Sequence, residues 1–589
     1  MIRKGDTLEP ASWIEALDYT SSAIRKISSE SGSASIGVIG SAKTTNEESY
    51  SLVKLARKVI GTPNVDGAAR FYDASVVRGL LATTGIAASS LELSGVAQAG
   101  SMLIVGSNVM EQLAHVGSRI QDAAENGCKI VAADPRRSKL APYASLYLQP
   151  LPGTDLAWIR ALLKTLIDRK LYIDAAPEMT GFEELRGSLA DVSMDAVSQA
   201  SGVRASDIEE AAEMLSGNRP SVVMFGLGVM QQANSTQVIR ALADAALLLG
   251  AQTVPLRGQN NAQGASDLGL ANDLLPGYAM LTDPEARKKW ESVWDCALPS
   301  EPGMSAVQML QGCKSGKIRA LMVFGENVAL SAPSSEAALE ALDTVGFLAV
   351  SDLYLTETAR LADVVFPACS FLEKDGTFTN LERRVQRVRK VMEPLGQSRS
   401  DLDIIADLAA ALGKELSRYP AAVMMEIASS VAQYRSVSYD QLDQDWAQPW
   451  PLDAARAVLA AIPAAAVPAT DPDYPFRLIA SRINFHQQTG TVAARTPVLS
   501  REYPETFAEI CEADAEKLRL RPGTTVTISS RTGSVKRRLT LTDAVPPGCV
   551  HVPHFFGGDS PNLLAPFDCD PASGVPVYKG HPVRIEAAK

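Results

Sequence analysis

The feature that most constrains this chain is a recurring pair: a short, wholly apolar run that stops at a small or polar turn, then a stretch patterned for a helix. SASIGVIG (33–40) stops at Gly-Ser and leads into TTNEESYSLVKLARKVIG. There the apolar residues at 52, 53, 55, 56, 59 and 60 share one helical face, and Gly61 is placed to cap it. SMLIVGSN (101–108), CKIVAADPRR (128–137), SVVMFGLGV (221–229), IRALMVFGEN (318–327), FLAVSDLYLT (347–356) and ADVVFPA (362–368) repeat the strand half. DLAWIRALLKTLIDRK and STQVIRALADAALLLG supply long helices between them. Strands alternating with helices predict βαβ units and parallel sheets, whose ligands sit at the C-terminal strand edges.

The texture changes after about residue 448. PWPLDAARAVLAAIPAAAVPATDPDYP is rich in Ala and Pro and reads as a linker. FRLIASR, TTVTISSRTG, SVKRRLTLTD and GCVHVPHF then read as strands broken by PG, TG and PPG turns, the pattern of a small β-barrel. The boundaries predicted are an α/β domain from 1–67 plus 258–447, a Rossmann-like domain at 68–257, a linker at 448–473 and a barrel at 474–589. A length of 589 residues calls for several cores. The net charge of −11 is spread along the chain and argues against a nucleic-acid partner. The N-terminus has no apolar signal region and no run is long enough to span a membrane, so a cytoplasmic location is expected. The seven Cys (128, 296, 313, 369, 511, 549 and 569) include no CxxC pair. They read as buried thiols, and no local motif can hold an iron–sulfur cluster.

Chemistry-bearing residues concentrate in a few turns. GSN (106–108), DPRR (134–137) and PGTD (152–155) close strands in one region, with Asp134 and Asp155 as carboxylates for a ribose or base edge. PLRGQNNAQGASDLG (255–269) crowds Arg257, Gln259, Asn260, Asn261 and Gln263 into one loop, the composition of a site lining. Glu373, Lys374, Asp375, Thr377, Thr379 and Asn380 form a second polar loop. GLGVMQ (226–231) has Gly226 and Gly228, but Gln231 stands where a dinucleotide fingerprint has its third glycine. Four of five His (486, 551, 554 and 581) fall in the barrel. The HVPH pair is expected to split across a strand and not to bind metal.

GSAKTTNEESY, LARKVIGTPNVD, ADPRRS, LPGTD, LRGQNNAQGASDLG, FGEN, LTETARLADVVFPACSFLEKDGTFTNLERRVQRV, HQQTGTVAARTP and NLLAPFDCDPASGVPVYK together resemble the molybdopterin oxidoreductase family, nearly end to end. The likeness is to formate dehydrogenase large subunits and to the catalytically silent large peripheral-arm subunit of NADH–quinone oxidoreductase (complex I). The resemblance implies an α/β fold of parallel-sheet domains with a C-terminal double-psi barrel around a molybdopterin guanine dinucleotide. It implies that Asn108, Asp134, Arg136, Gly153 and Asp155 face a guanine dinucleotide and that Gly226 and Gly228 line a phosphate. Arg257 and Gln259 would stand beside the metal, and Asn562 and Lys579 would close over the pterin.

Two departures bear on function. The resemblance implies an opening cysteine-rich domain with clusters and a lysine, and IRKGDTLEPASWIEAL stands where that domain is expected to have already ended. After NVDGAAR, Phe71 is followed by Tyr72 and Asp73, in the positions of the family's metal-ligating Cys and its proton-handling His. Leu113 and Ala114 replace a further His-Pro, and aromatic bulk at Phe71 and Tyr72 suits a filled cavity. The resemblance therefore implies a non-catalytic subunit of a complex I-like assembly, with iron–sulfur and flavin subunits as partners and membrane contact only through them. The alternative is a formate dehydrogenase-type subunit that still binds the pterin.

Overall fold

In the computed structural model, residues 1–452, 456–466, 471–484, 489–502, 506–554 and 560–588 are described. His486, Gln487 and Gln488 of the HQQTG segment lie outside them. The chain forms two compact units, Met1–Phe71 with Gln259–Pro451, and Tyr72–Gly258 with Leu452–Lys589.

The first unit is built on a seven-stranded sheet. From one edge its strands are Thr7–Glu9, Ile2–Lys4, Val364–Pro367, Leu348–Asp352, Ala320–Phe324, Ile36–Gly40 and Val65–Gly67. The last five run parallel, as the fully apolar strands predict, and Ile2–Lys4 adds an antiparallel edge. The helix Asn46–Lys54 starts on a capping box, in which the Thr45 side chain accepts from the Glu48 backbone and Glu48 from that of Thr45. It continues as a π-helix over Leu55–Ile60 and ends at Gly61 in the left-handed region.

The second unit combines a five-stranded parallel sheet with the barrel. The sheet order is Leu146–Leu148, Lys129–Ala133, Ser101–Val105, Ser221–Phe225 and Gln252–Pro255. Helices Asp155–Asp168 and Ser235–Leu249 pack on it in one core with Trp158, Leu162, Leu242 and Leu249. The closed barrel runs Phe476–Arg482, Cys549–His554, Phe507–Ile510, Ser534–Leu541, Thr525–Ser529 and Pro582–Ala587. Alternation puts Val550 and Val552 inside it, and Cys549 outside against Ile479 and Leu151.

The Ala/Pro-rich segment is tied down where it is described. Arg456 N donates to Thr84 O at 2.9 Å, Val458 N to Thr83 O at 3.0 Å and Leu459 N to Thr180 O at 2.9 Å. Leu459 and Ile462 join the core of the parallel-sheet domain. Gly181 is required there: its φ is +85°, and a Cβ would lie 1.7 Å from Leu459 O.

Candidate functional site: a basic cluster at the strand ends of the second unit

The turns that close the five-stranded sheet meet each other and the barrel. Gly106, Gly226 and Gly228 bring two strand ends into backbone contact. A Cβ on Gly228 would lie 2.6 Å from Gly106 Cα, and Gly228 N donates to Gly106 O at 2.8 Å. Glycine at 226 and 228 is thus explained by loop packing in this unit. Gly153 sits at φ +83° in its turn, and Arg477 of the barrel donates to Pro152 O at 2.9 Å. Asp155 is buried, and both its oxygens have protein donors: Gln232 Nε2 at 2.6 Å and Trp158 Nε1 at 3.2 Å. Two nearby amide oxygens are different. Asn108 Oδ1 and Gln232 Oε1 are buried with no hydrogen-bond partner among the described residues, although Asn108 Nδ2 donates to Glu111.

The barrel supplies charge. Asp134 accepts from Arg136 N at 3.0 Å, and burial, with Asp155 adding to it, pushes its carboxyl up to about 7. Arg136 makes a two-point ion pair with Glu509, at 2.8 and 3.2 Å. His551 shares that carboxylate at 2.7 Å through Nδ1 and meets Ser481 Oγ at 2.6 Å through Nε2. Burial raises the Glu509 pKa, but the His551 and Arg136 hydrogen bonds win and hold it at about 2. This quartet is balanced.

Its neighbours are not. Burial takes Lys579 down to about 7, Arg482 pushes the same way, and Asp134 pulls back. Lys579 Nζ donates to Ala480 O. Burial also lowers Arg482, with Tyr72 opposing. His554 is driven well below its usual value by burial and then by Lys579, Arg482, His551 and Arg537. Arg482 and His554 have no carboxylate partner among the described residues. Four basic side chains thus act electrostatically on one histidine, and Asp134 is the carboxylate that acts on Lys579. Such a cluster is costly unless an anion enters it. Asn562 lies in the short helix Pro561–Leu564, its backbone N donating to Ser560 Oγ at 3.2 Å.

The stretch after NVDGAAR belongs to two units. Phe71 closes the first and Tyr72 opens the second, each 4% exposed. Within NVDGAAR, Arg70 Nε donates to Asp66 at 2.9 Å, so this motif ties its own loop. Asp73 and Arg257 are both buried and pair with each other, Nε to Oδ1 at 2.6 Å. Arg257 Nη2 donates to Ala87 O at 3.0 Å. Gln259 opens the other unit, its Nε2 buried without a hydrogen-bond partner among the described residues.

The rest of the polar loop beyond Gln259 is spent internally. Asn261 accepts from Thr379 N at 2.8 Å and donates to Thr44 O at 2.8 Å. Asp267 accepts from Gln263, Tyr278 and Tyr434 at 2.6–2.8 Å. Lys374 lies between Glu48 at 2.8 Å and Asp401 at 3.5 Å. Among the described residues no group of three or more His, Cys, Asp or Glu could hold a metal ion. Five of the seven Cys are buried and two half-buried, all as thiols.

The sequence reading missed Arg482, Glu509 and Arg537. Arg537 had a signal: Val535, Arg537 and Leu539 alternate inward on one strand, so a charge stands on its apolar face.

Known proteins fit this geometry. The profile "Molybdopterin oxidoreductase" matches residues 1–411, and "Molydopterin dinucleotide binding domain" matches 476–582, the barrel. The chain belongs to the molybdopterin oxidoreductase family. It is 34% identical to F420-dependent formate dehydrogenase 1 subunit alpha of Methanococcus maripaludis, over 100% of this chain and 90% of that protein. It is 33% identical to the probable oxidoreductase YjgC of Bacillus subtilis, over 100% of this chain but 63% of that protein. Acetylene hydratase from Pelobacter acetylenicus shares the fold, with a TM-score of 0.82 at 21% identity over 98% of this chain and 90% of that one. The chain is formate dehydrogenase-like in sequence, and its barrel matches the family's dinucleotide-binding domain. In the described residues no helix is long and apolar enough to cross a membrane.

Proposed function

We propose that this chain binds a molybdopterin guanine dinucleotide and serves as the alpha-type subunit of a formate dehydrogenase-like redox complex. The observation that carries this reading is the basic cluster of Arg482, His554, Lys579 and Arg537. Its residues fit the group. Phosphates would be met by Arg482, Lys579 and His554, and their charge would restore the protonated Lys579 that burial disfavours. Asn108 Oδ1 and Gln232 Oε1 are buried acceptors open to the amino groups of a guanine or pterin. Asp134, held near neutrality, can accept or donate. When bound, the cofactor supplies a metal centre able to exchange electrons in pairs; the chain's part is to neutralise, orient and enclose it. Relatives named as formate dehydrogenase alpha subunits at 34% identity support this over the complex I-like scaffold.

The scaffold has one observation in its favour. Tyr72 and Asp73 stand, by resemblance, where the family has a soft metal ligand and a proton carrier, and Asp73 is already paired. Partners carrying iron–sulfur clusters and a flavin, in the cytoplasm, remain part of the proposal in either case.

The test is cofactor content. The full chain is purified with whatever co-purifies, and molybdenum, tungsten and released pterin are measured per chain. Stoichiometric pterin with metal is expected. Their absence from a folded complex that oxidises NADH would overturn the reading in favour of the scaffold.

A further inference from the structure

The Asp73–Arg257 pair bears on what this site can accept. Arg257 is the guanidinium that the resemblance sets beside the reacting centre, and Asp73 follows directly on Tyr72. The two side chains are 2% and 0% exposed, and their contact of 2.6 Å is a charge-assisted hydrogen bond. A second guanidinium hydrogen bond goes to the Ala87 carbonyl. The positive charge of Arg257 is therefore answered inside the protein, by an anion that cannot diffuse away. A second guanidinium, Arg482, interacts electrostatically with Tyr72, with His554 and with Lys579. On the cofactor-binding reading, on which this inference rests, phosphate takes it.

We propose that Asp73 is a specificity-determining residue: by cancelling Arg257 it closes the site at Tyr72 to small carboxylates and leaves it suited to a small uncharged molecule. A carboxylate seeking Arg257 must share a guanidinium already bound by a fixed anion, and it brings a second negative charge beside the first. Like-charge juxtaposition of this kind is what binding sites use to reject a partner. A neutral molecule of the same size meets no such repulsion and can hydrogen-bond to the pair as it stands.

The experiment is a calorimetric titration of the purified, cofactor-loaded protein with formate and azide as anionic probes and formamide as a neutral probe of similar size. Molybdenum and pterin content are measured on the same sample. In the wild type, formamide binds more tightly than formate or azide. In Asp73→Asn the fixed negative charge beside Arg257 is gone and formate binding tightens about 100-fold, while formamide binding changes little. The double variant Asp73→Asn/Arg257→Gln loses that gain.

Wild-type protein with stoichiometric cofactor that binds formate as tightly as Asp73→Asn does would overturn the inference and leave the cofactor reading standing. Should Asp73→Asn not fold, the wild type still decides: formate or azide binding more tightly than formamide overturns the inference, and the reverse order supports it. A sample without pterin or metal would overturn the cofactor reading, and this inference with it.

Discussion

The two units treat buried polar groups in opposite ways. In the first, the loop from Asn261 to Asp267 and the loop around Lys374 and Thr379 spend their polar groups on protein partners. Asp267 has three donors and Lys374 two carboxylates. In the second, Arg482, Lys579 and His554 share a buried neighbourhood and burial depresses all three. A dense polar loop is thus weak evidence of a site, because such a network can be complete in itself. Buried basic charge in excess of its counter-charge is stronger evidence, because an anionic ligand would complete it.

The contrast breaks most visibly at Lys374. Lys374→Met strands Glu48 and Asp401 as buried carboxylates, with an expected loss of about 3–5 kcal/mol, read as a drop in the urea midpoint. Acid should act on the second unit's balanced quartet. Glu509 is held at about 2 against a usual 4.5. Its contribution is therefore full above pH 4.5 and is lost as pH falls towards 2, by about 3 kcal/mol at 1.36 per pKa unit. Glu509→Gln should flatten that limb of a stability-against-pH curve.

Lys579→Met should go the other way from Lys374→Met. Removing a basic group that burial and Arg482 disfavour more than Asp134 favours it leaves the cofactor-free chain unchanged or more stable by about 1 kcal/mol, measured by thermal melting. A pH effect is expected in alkali too. Folded Lys579 loses its proton near 7 and the unfolded chain keeps it to about 10.5. The unfolded state then binds more protons, so stability of the cofactor-free protein rises with pH across that window. Lys579→Met should abolish the rise, and bound cofactor should flatten it.

Much of the fold was legible because it rests on local pattern. The apolar runs at 36–40, 101–105, 221–225 and 320–324 are strands, and in the second unit the turns at Arg136 and Pro152 meet the barrel. Composition could not tell which polar residues are spent. Asn261 and Gln263 look like Asn108 and Gln232 in sequence, and only their pairing, with distant Thr379 and with Asp267 one helical turn on, separates them. The Ala/Pro-rich stretch read as a linker because nothing local shows that Leu459 and Ile462 find a core. Tyr72 and Asp73 stood out by resemblance, but the partner of Asp73 lies 184 residues away.

The central claim is that the second unit's basic cluster, and not the first unit's polar network, holds the cofactor. Pterin and metal per folded chain, measured in parallel for wild type, Arg482→Gln/Lys579→Met and Asp267→Asn, test it most directly. The expected result is stoichiometric cofactor in the wild type and in folded Asp267→Asn, and loss of most of it in the double variant. Full occupancy in a folded Arg482→Gln/Lys579→Met protein would contradict the claim.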